Sequence, residues 1–352
     1  EKTFENVYET WMDFGVDGFR IDTVKHVNFD FWKTWTTAVD AHAAQTNPDF
    51  FTFGEVYDAD ATKTSPYVRH TGMDATLDFA FQAGALNYVK GYTAGGLSQL
   101  FASDDYYTTV HSSVYAEPTF LGNHDMGRLG YLLNGGTGSA ETLRRDELAH
   151  ELMFLTRGQP VVYYGDEQGF AGSGGDKASR QDMFGTQVSA FATEQLVDGT
   201  TEGTSDHYDT SSALYQRISG LAKLRRSSKA LSTGSQIELH ADDGAGVYAF
   251  ARVDRDEKVE HLVALNNATE DRTATFTTLT PGATYTPLYG TQTPVTADGD
   301  GTVTLTVPAL SAVVLKADRT VVASDGSAPT ISLDLADGSS LSGTAAAVSA
   351  TT

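Results

Sequence analysis

Gly18-Phe19-Arg20-Ile21-Asp22 is a short apolar run that follows a turn at Gly15 and ends on an acid. It reads as a β-strand that delivers a carboxylate at its C-terminal end. Before it, Phe4, Val7, Tyr8, Trp11 and Met12 recur at helical spacing. After it the arrangement repeats. Residues 30–45 read as a helix with Phe31, Trp32, Trp35 and Val39 on one face, and 50–56 as a strand carrying Glu55 near its end. A weaker strand at 74–79 precedes helical segments at 81–90 and 97–102, and 118–125 is a strand closing on Asn123-His124-Asp125. Then come a helix at 141–157, a strand at 159–165 and a last helix at 211–226 with Leu214, Ile218, Leu221 and Leu224 inward.

Strand and helix thus alternate five times, which calls for a parallel sheet covered by helices. An open doubly wound sheet and a (β/α)8 barrel both place active residues at the C-terminal ends of the strands. The barrel alone collects side chains from many strands into one pocket, although five units are three short of one. After Leu231 the texture changes to short alternating runs such as 246–250, 261–265 and 303–307, separated by Gly, Asp and Asn turns. These predict a small antiparallel β domain over 232–317. A linker is expected at 318–328, and 329–352 stops before a further domain could close.

The chain has 352 residues and 40% hydrophobic content, enough for one large core and a smaller domain. Its 46 acidic and 24 basic residues leave a net charge of -22. No basic run could hold a phosphate backbone or an anionic membrane, so nucleic acid is not an expected partner. Asp supplies 31 of the acids and Lys 10 of the bases, a balance that suggests a salty habitat. The absence of cysteine excludes thiol chemistry and disulfides. No apolar run approaches the ~20 residues of a membrane span. The first residues lie inside a helical pattern rather than a leader, so the chain is expected to be a fragment.

Taken alone, Asp22 at a strand end would serve as a helix cap or salt-bridge partner, with Arg20 two residues earlier on the same face. Glu55 leaves an apolar strand, an environment that favours its protonated form. Asp125 is a third acid at a third strand end. Three such acids are hard to explain as separate accidents, and paired carboxylates suit glycoside cleavage, where one protonates the leaving oxygen and another attacks the sugar. Trp32 and Trp35 at helical spacing read as core, whereas Tyr57 offers a face for sugar stacking.

Three segments, 18–26 (GFRIDTVKH), 53–56 (FGEV) and 120–125 (FLGNHD), resemble sequence regions of the α-amylase family, glycoside hydrolase family 13, and stand in that family's order. The segment 159–167 (QPVVYYGDE) resembles the family's eighth barrel strand. The resemblance implies a partial (β/α)8 TIM barrel, strands 4 to 8, over residues 1–231, truncated at both ends and followed by the family's β-sandwich domain. It implies Asp22 as nucleophile, Glu55 as general acid and base, and Asp125 as a grip on sugar hydroxyls. Arg20 would hold Asp22 ionised, His124 would bind the same sugar, and Lys25 and His26 would line the leaving-group side.

The backbone carbonyl of His26 would be a calcium ligand, with the remaining ligands in family segments upstream of this chain. Arg180 and Asp182 would brace the loop after the last barrel strand. The tail from Pro329 resembles the start of an immunoglobulin-like module of extracellular bacterial glycanases, which implies secretion. The expected function is retaining cleavage of α-1,4 links in starch-like glucans. Glucanotransfer and a non-catalytic carbohydrate-binding role are the alternatives.

The charge balance carries its own consequence. Self-repulsion of the folded chain weakens when salt screens it. The melting temperature should therefore rise from low to roughly seawater ionic strength. A flat or falling series in differential scanning calorimetry would rule out adaptation to salt.

Overall fold

The computed structural model describes residues 2–321, 330–332 and 349–351. Parallel strands β1 (Gly18–Ile21), β2 (Phe51–Gly54), β3 (Ala75–Thr76), β4 (Pro118–Thr119) and β5 (Gln159–Pro160) alternate with helices. The helices are α1 (Lys2–Asp13), α2 (Phe29–Thr46), α3 (Ala61–Thr71), α4 (Phe79–Val89), α5 (Gly95–Ala102), α6 (Leu129–Asn134), α7 (Ala140–Leu155), α8 (Ser189–Ala192), α9 (Ala213–Ser227) and α10 (Lys229–Thr233). Strand β1 pairs with β2 from Gly18 against Phe51 to Ile21 against Gly54, β2 continues to β3, and β4 pairs with β5.

These ladders are shorter than the apolar runs predicted, because the strand ends turn their backbone to other partners. Asp78 was expected inside a strand; instead its carboxylate caps α4 by accepting from the Phe81 N–H at 2.8 Å. Between β3 and β4 the joint is made by a side chain. The fully buried Glu117 carboxylate accepts from the Thr76 N–H at 3.1 Å and its hydroxyl at 2.8 Å, while the Asp78 N–H donates to the Pro118 carbonyl at 3.0 Å. In β5 the N–H groups of Gln159 and Val161 both bond to the β4 side at 2.8 Å. Pro160 therefore sits where a missing N–H faces away from that ladder. Helix α3 was not expected from the sequence, and it carries Pro66 inside it.

The second domain is a six-stranded antiparallel sheet in the order β11-β10-β13-β8-β7-β6, with a two-stranded partner β12-β9. Its strands are β6 (Ser235–Ala241), β7 (Val247–Val253), β8 (Val259–Asn266), β9 (Arg272–Thr277), β10 (Thr284–Tyr289), β11 (Val295–Thr296), β12 (Thr302–Val307) and β13 (Ser311–Thr320). The runs at 246–250 and 261–265 looked alternating, yet both faces of β7 and β8 are buried. Val247, Ala249, Leu262 and Ala264 face the β9-β12 pair. Tyr248, Phe250, Val263 and Leu265 share one core with Phe81, Tyr88, Leu152 and Leu221 of the barrel helices. A sheet covered on both sides reads as continuous apolar sequence. Strands β9 and β12 do alternate, with Thr pairs 273/306 and 275/304 hydrogen-bonded on the outer face.

Polar ties reinforce the shared core. The Asn267 amide donates to the carbonyls of Tyr88 and Tyr92 at 2.6 and 2.7 Å, and Arg252 donates to the Leu155 carbonyl at 2.8 Å. Strand β13 runs to Thr320, which pairs with Val259, so it takes up the first part of the expected linker. Val321 follows, its N–H donating to the Lys258 carbonyl at 2.8 Å, and residues 322–328 of that linker lie outside the described residues, as does most of the expected immunoglobulin-like tail. Of that tail, β14 (Thr330–Ser332) and β15 (Ser349–Thr351) pair antiparallel. No helix among the described residues is long and apolar enough to cross a membrane.

Arg157 is buried behind the strands and bonds both Asp78 and Asp104, the latter at 2.6 Å. Deleting its charge leaves two carboxylates unpaired, one of them fully buried, and breaking a buried pair costs about 3–5 kcal/mol. Arg157→Met should lower the unfolding free energy in guanidinium titrations by about that much. A loss under about 1 kcal/mol, the range of exposed ion pairs, would show the network to be dispensable.

Candidate active site

The site grows out of the β1–β2 register. One residue past the paired ends, the Glu55 N–H donates to the Ile21 carbonyl at 2.8 Å, and the Val24 N–H to the Glu55 carbonyl at 3.0 Å. Both strands therefore stop together, with Asp22 and Glu55 at adjoining ends. Gly54 allows this closeness, since a Cβ there would lie 2.6 Å from the Met73 sulfur and 2.7 Å from a Val24 methyl. Thr23 turns the chain away in a left-handed conformation, φ 54°. A β-branched residue rarely adopts it, and such strain concentrates at functional sites.

Arg20 Nη1 donates to Asp22 Oδ1 at 2.6 Å, and its Nη2 donates to Glu55 Oε2. The two carboxyls are driven in opposite directions. The Arg20 hydrogen bond holds Asp22 below the usual carboxylate range, whereas burial raises Glu55 despite the same guanidinium. Asp22 is well exposed at 65%, Glu55 only 14%. The Asp125 charge raises Glu55 further and the His124 charge lowers Asp22, so residues from β1, β2 and the loop after β4 act on one another.

The Asp125 turn is held from both sides. Asn123 and Gly127 exchange two backbone hydrogen bonds at 3.1 Å, and Asn123 Oδ1 accepts from the N–H groups of Asp125 and Met126 at 2.9 Å. From the loop after β5, the Asp176 N–H donates to the Asp125 carbonyl and the Ser179 hydroxyl to the His124 carbonyl. Gly175 permits that approach, because a Cβ there would come within 2.3 Å of the Asp125 oxygen. His124 Nε2 lies 3.2 Å from Asp125 Oδ2. The sequence reading missed this bracing, and also Arg128, which is fully buried and donates to Gln181, Asp166 and the Tyr164 carbonyl. An Arg three residues after Asp125 was the available signal.

Lys25 donates to the Tyr57 carbonyl at 2.7 Å, and Tyr57 is 47% exposed beside the site while Trp32 and Trp35 are buried in the core. Arg180 bonds Asp176 at 3.1 Å and comes within 4.0 Å of Asp125, and Asp182 accepts from Thr186. His26 ends an exposed turn. Among the described residues no group of three or more His, Asp or Glu side chains could hold a metal ion. One carbonyl at His26 is not a calcium site by itself. A cavity of about 410 Å³ at the seam between the two domains contains none of the strand-end acids.

Residues 1–234 match the α-amylase catalytic domain and residues 238–318 the α-amylase C-terminal all-beta domain. The chain belongs to the α-amylase family. It is 49% identical over 339 residues to an α-amylase of Streptomyces lividans, covering 95% of this chain and 37% of that protein. It is 30% identical to a cyclomaltodextrin glucanotransferase of Bacillus licheniformis, covering 82% of this chain and 35% of that protein. The fold matches the crystal structure of a Geobacillus thermoleovorans α-amylase complexed with acarbose, at TM-score 0.70 and 22% identity, covering 90% of this chain and 64% of that one. This α-amylase-family chain thus spans little more than a third of the length of these two sequence relatives.

Arg20 gives the site a direct test. It lowers the affinity of Asp22 for a proton, so Arg20→Met should raise the pH at which Asp22 titrates. Carboxyl-carbon NMR reads this without any substrate. An unchanged or lower midpoint would exclude Arg20 as the group that keeps Asp22 ionised.

Proposed function

We propose that Asp22, Glu55 and Asp125 carry retaining hydrolysis of α-1,4 links in starch-like glucans. The observation that carries this is the shared Arg20 fork, with one carboxyl held ionised and its neighbour pushed toward its protonated form. Two adjacent acids whose environments push their proton affinities apart are assigned as nucleophile and acid. Asp22 attacks the anomeric carbon as Glu55 gives its proton to the departing glycosidic oxygen, leaving a glycosyl-enzyme ester. Glu55, now ionised, takes a proton from water, whose oxygen displaces Asp22. Asp125 and His124 hold hydroxyls of the same sugar.

A sugar hydroxyl in place of water would give glucanotransfer by the same steps. A polymer the size of starch cannot enter a cell, so secretion belongs to the same proposal. So does a calcium ion that takes the His26 carbonyl as one ligand and finds its other donors beyond the described residues.

In the protein as the cell produces it, Asp22→Asn and Glu55→Gln should each abolish release of reducing sugar from starch while leaving the circular dichroism spectrum unchanged. A folded variant within about tenfold of the parent, ~1.4 kcal/mol of transition-state stabilisation, would remove that residue from its role. Product analysis on maltooligosaccharides separates the two outcomes, since longer oligomers than the one supplied mean transfer.

A further inference from the structure

A groove of about 420 Å³ opens between α4 and α5, lined by those helices and the turn that joins them. Tyr92, on that turn, forms one wall and is 61% exposed. The backbone beneath it is fixed. The Tyr92 carbonyl accepts from Asn267 at 2.7 Å, and the Thr93 hydroxyl donates to the Asp242 carbonyl at 3.3 Å. The N–H groups of Ala94 and Gly95 donate to the carbonyls of Gly244 and Asp242 at 2.9 and 3.2 Å. Four consecutive residues are thus tied to the second domain. The ring is held out on a rigid turn, and a ligand laid on it would lose little affinity to ordering.

The lining also selects a chemistry. Asn87 from α4 and Gln99 from α5 are exposed in the same groove, and each carboxamide offers donors and an acceptor without charge. In a chain of net charge -22, no Asp, Glu, Lys or Arg lines this groove, whereas cavities of about 410, 270 and 500 Å³ elsewhere each carry three such side chains. A charged ligand would find no counter-charge here. A neutral one with many hydroxyls and an apolar C–H face would find an aromatic ring and two amides. Gly96 keeps the space open. A Cβ there would meet nothing within 4 Å, so packing does not call for glycine in this first turn of α5, where glycine weakens a helix.

We propose that this groove is a second α-glucan site, in which a pyranose lays its C–H face on Tyr92 while its hydroxyls bond Asn87 and Gln99. The proposal rests on the proposed function for the class of ligand. It is not a continuation of the strand-end acids. Helix α4 is 11 residues long, about 16 Å, and leads away from the end of β3 to this turn, so one sugar ring cannot occupy both places. The groove holds a distant stretch of the polymer and keeps the enzyme on a long or insoluble substrate.

The test uses the protein as the cell produces it. Tyr92→Ala should weaken adsorption to starch granules by about fivefold or more, while kcat/KM on maltotriose, too short to reach both sites, stays within about twofold of the parent. Tyr92→Phe keeps the ring and should keep adsorption. Gly96→Phe fills the groove without removing a group from it and should match Tyr92→Ala. Unchanged adsorption in both Tyr92→Ala and Gly96→Phe would overturn the proposal. An equal fall in maltotriose hydrolysis would do the same, since the change would then act through the strand-end acids or the fold. So would a parent that dimerises through Tyr92 and dissociates in Tyr92→Ala. A parent that hydrolyses no α-glucan sinks the proposed function instead. The side-chain amide NMR signals of Asn87 and Gln99 still decide the groove, shifting with maltoheptaose if it binds glucan and staying in place if it does not.

Discussion

One guanidinium reaches two carboxylates because the β1–β2 register sets Arg20 beside Phe53 and Ile21 beside Gly54. A one-residue slip of either strand would turn its side chains to the opposite face and separate the groups. Arg suits this place because its planar fork offers donors in two directions and never loses its charge, whereas a Lys ammonium is a single point. The packing behind the site serves the same register. Gly54 lets Val24 and Met73 close on β2, and Trp32 and Trp35 fill the space beneath with a buried aromatic layer.

The second domain packs onto that frame through a shared core. Its strands β7 and β8 are buried on both faces, and one face continues the core formed by α4, α7 and α9. Those helices lie in the half of the barrel that carries β4 and β5, from whose C-terminal ends the Asp125 turn and its bracing loop emerge. Tyr289 extends the contact by donating to Glu151 at 2.6 Å while accepting from Arg217 at 2.7 Å. The domains are joined by apolar area and by polar groups that would be left unpaired if they parted.

Much of this could be read from the sequence where local pattern and local structure agree. Helices α2, α7 and α9 lie within two or three residues of their apolar periodicity. The three acids stood out in the sequence as the ends of expected strands, and their roles are implied by the resemblance of the motifs that hold them. What escaped was set by contacts distant along the chain. Glu117 joins β3 to β4 from 41 residues away from Thr76, and Arg157 neutralises Asp78 from 79 residues away. Neither partner carries a mark in its own neighbourhood. The two-faced burial of β7 and β8 was misread as alternation because Ala249 and Ala264 are small enough to pass for outward positions. The short Asp78 cap was hidden inside what looked like strand, since a capping Asp and a strand-end Asp are the same letter until the fold assigns the next N–H.

Perturbed proton affinity by itself would have pointed elsewhere in this molecule. Asp166 and Glu151 are both pushed up to about 7 by burial. Both are almost wholly inaccessible, and each has an Arg in reach, Arg128 for Asp166 and Arg217 for Glu151. A carboxyl that water and substrate cannot touch has no reaction to run, and its raised affinity expresses only the cost of burying its charge. That cost grows as pH rises from the ordinary carboxylate range toward 7, so these groups favour the folded state on the acid side and draw down its stability on the alkaline side. Asp22 and Glu55 differ in kind. Their shifts are opposed although both touch one guanidinium, Asp22 lowered by it and Glu55 raised by burial in spite of it, and Asp22 stands open to solvent beside a neighbour that is not. Opposition within one adjoining pair that opens to solvent through Asp22, rather than the size of any single shift, separates a site built to move protons from a core that merely contains acids.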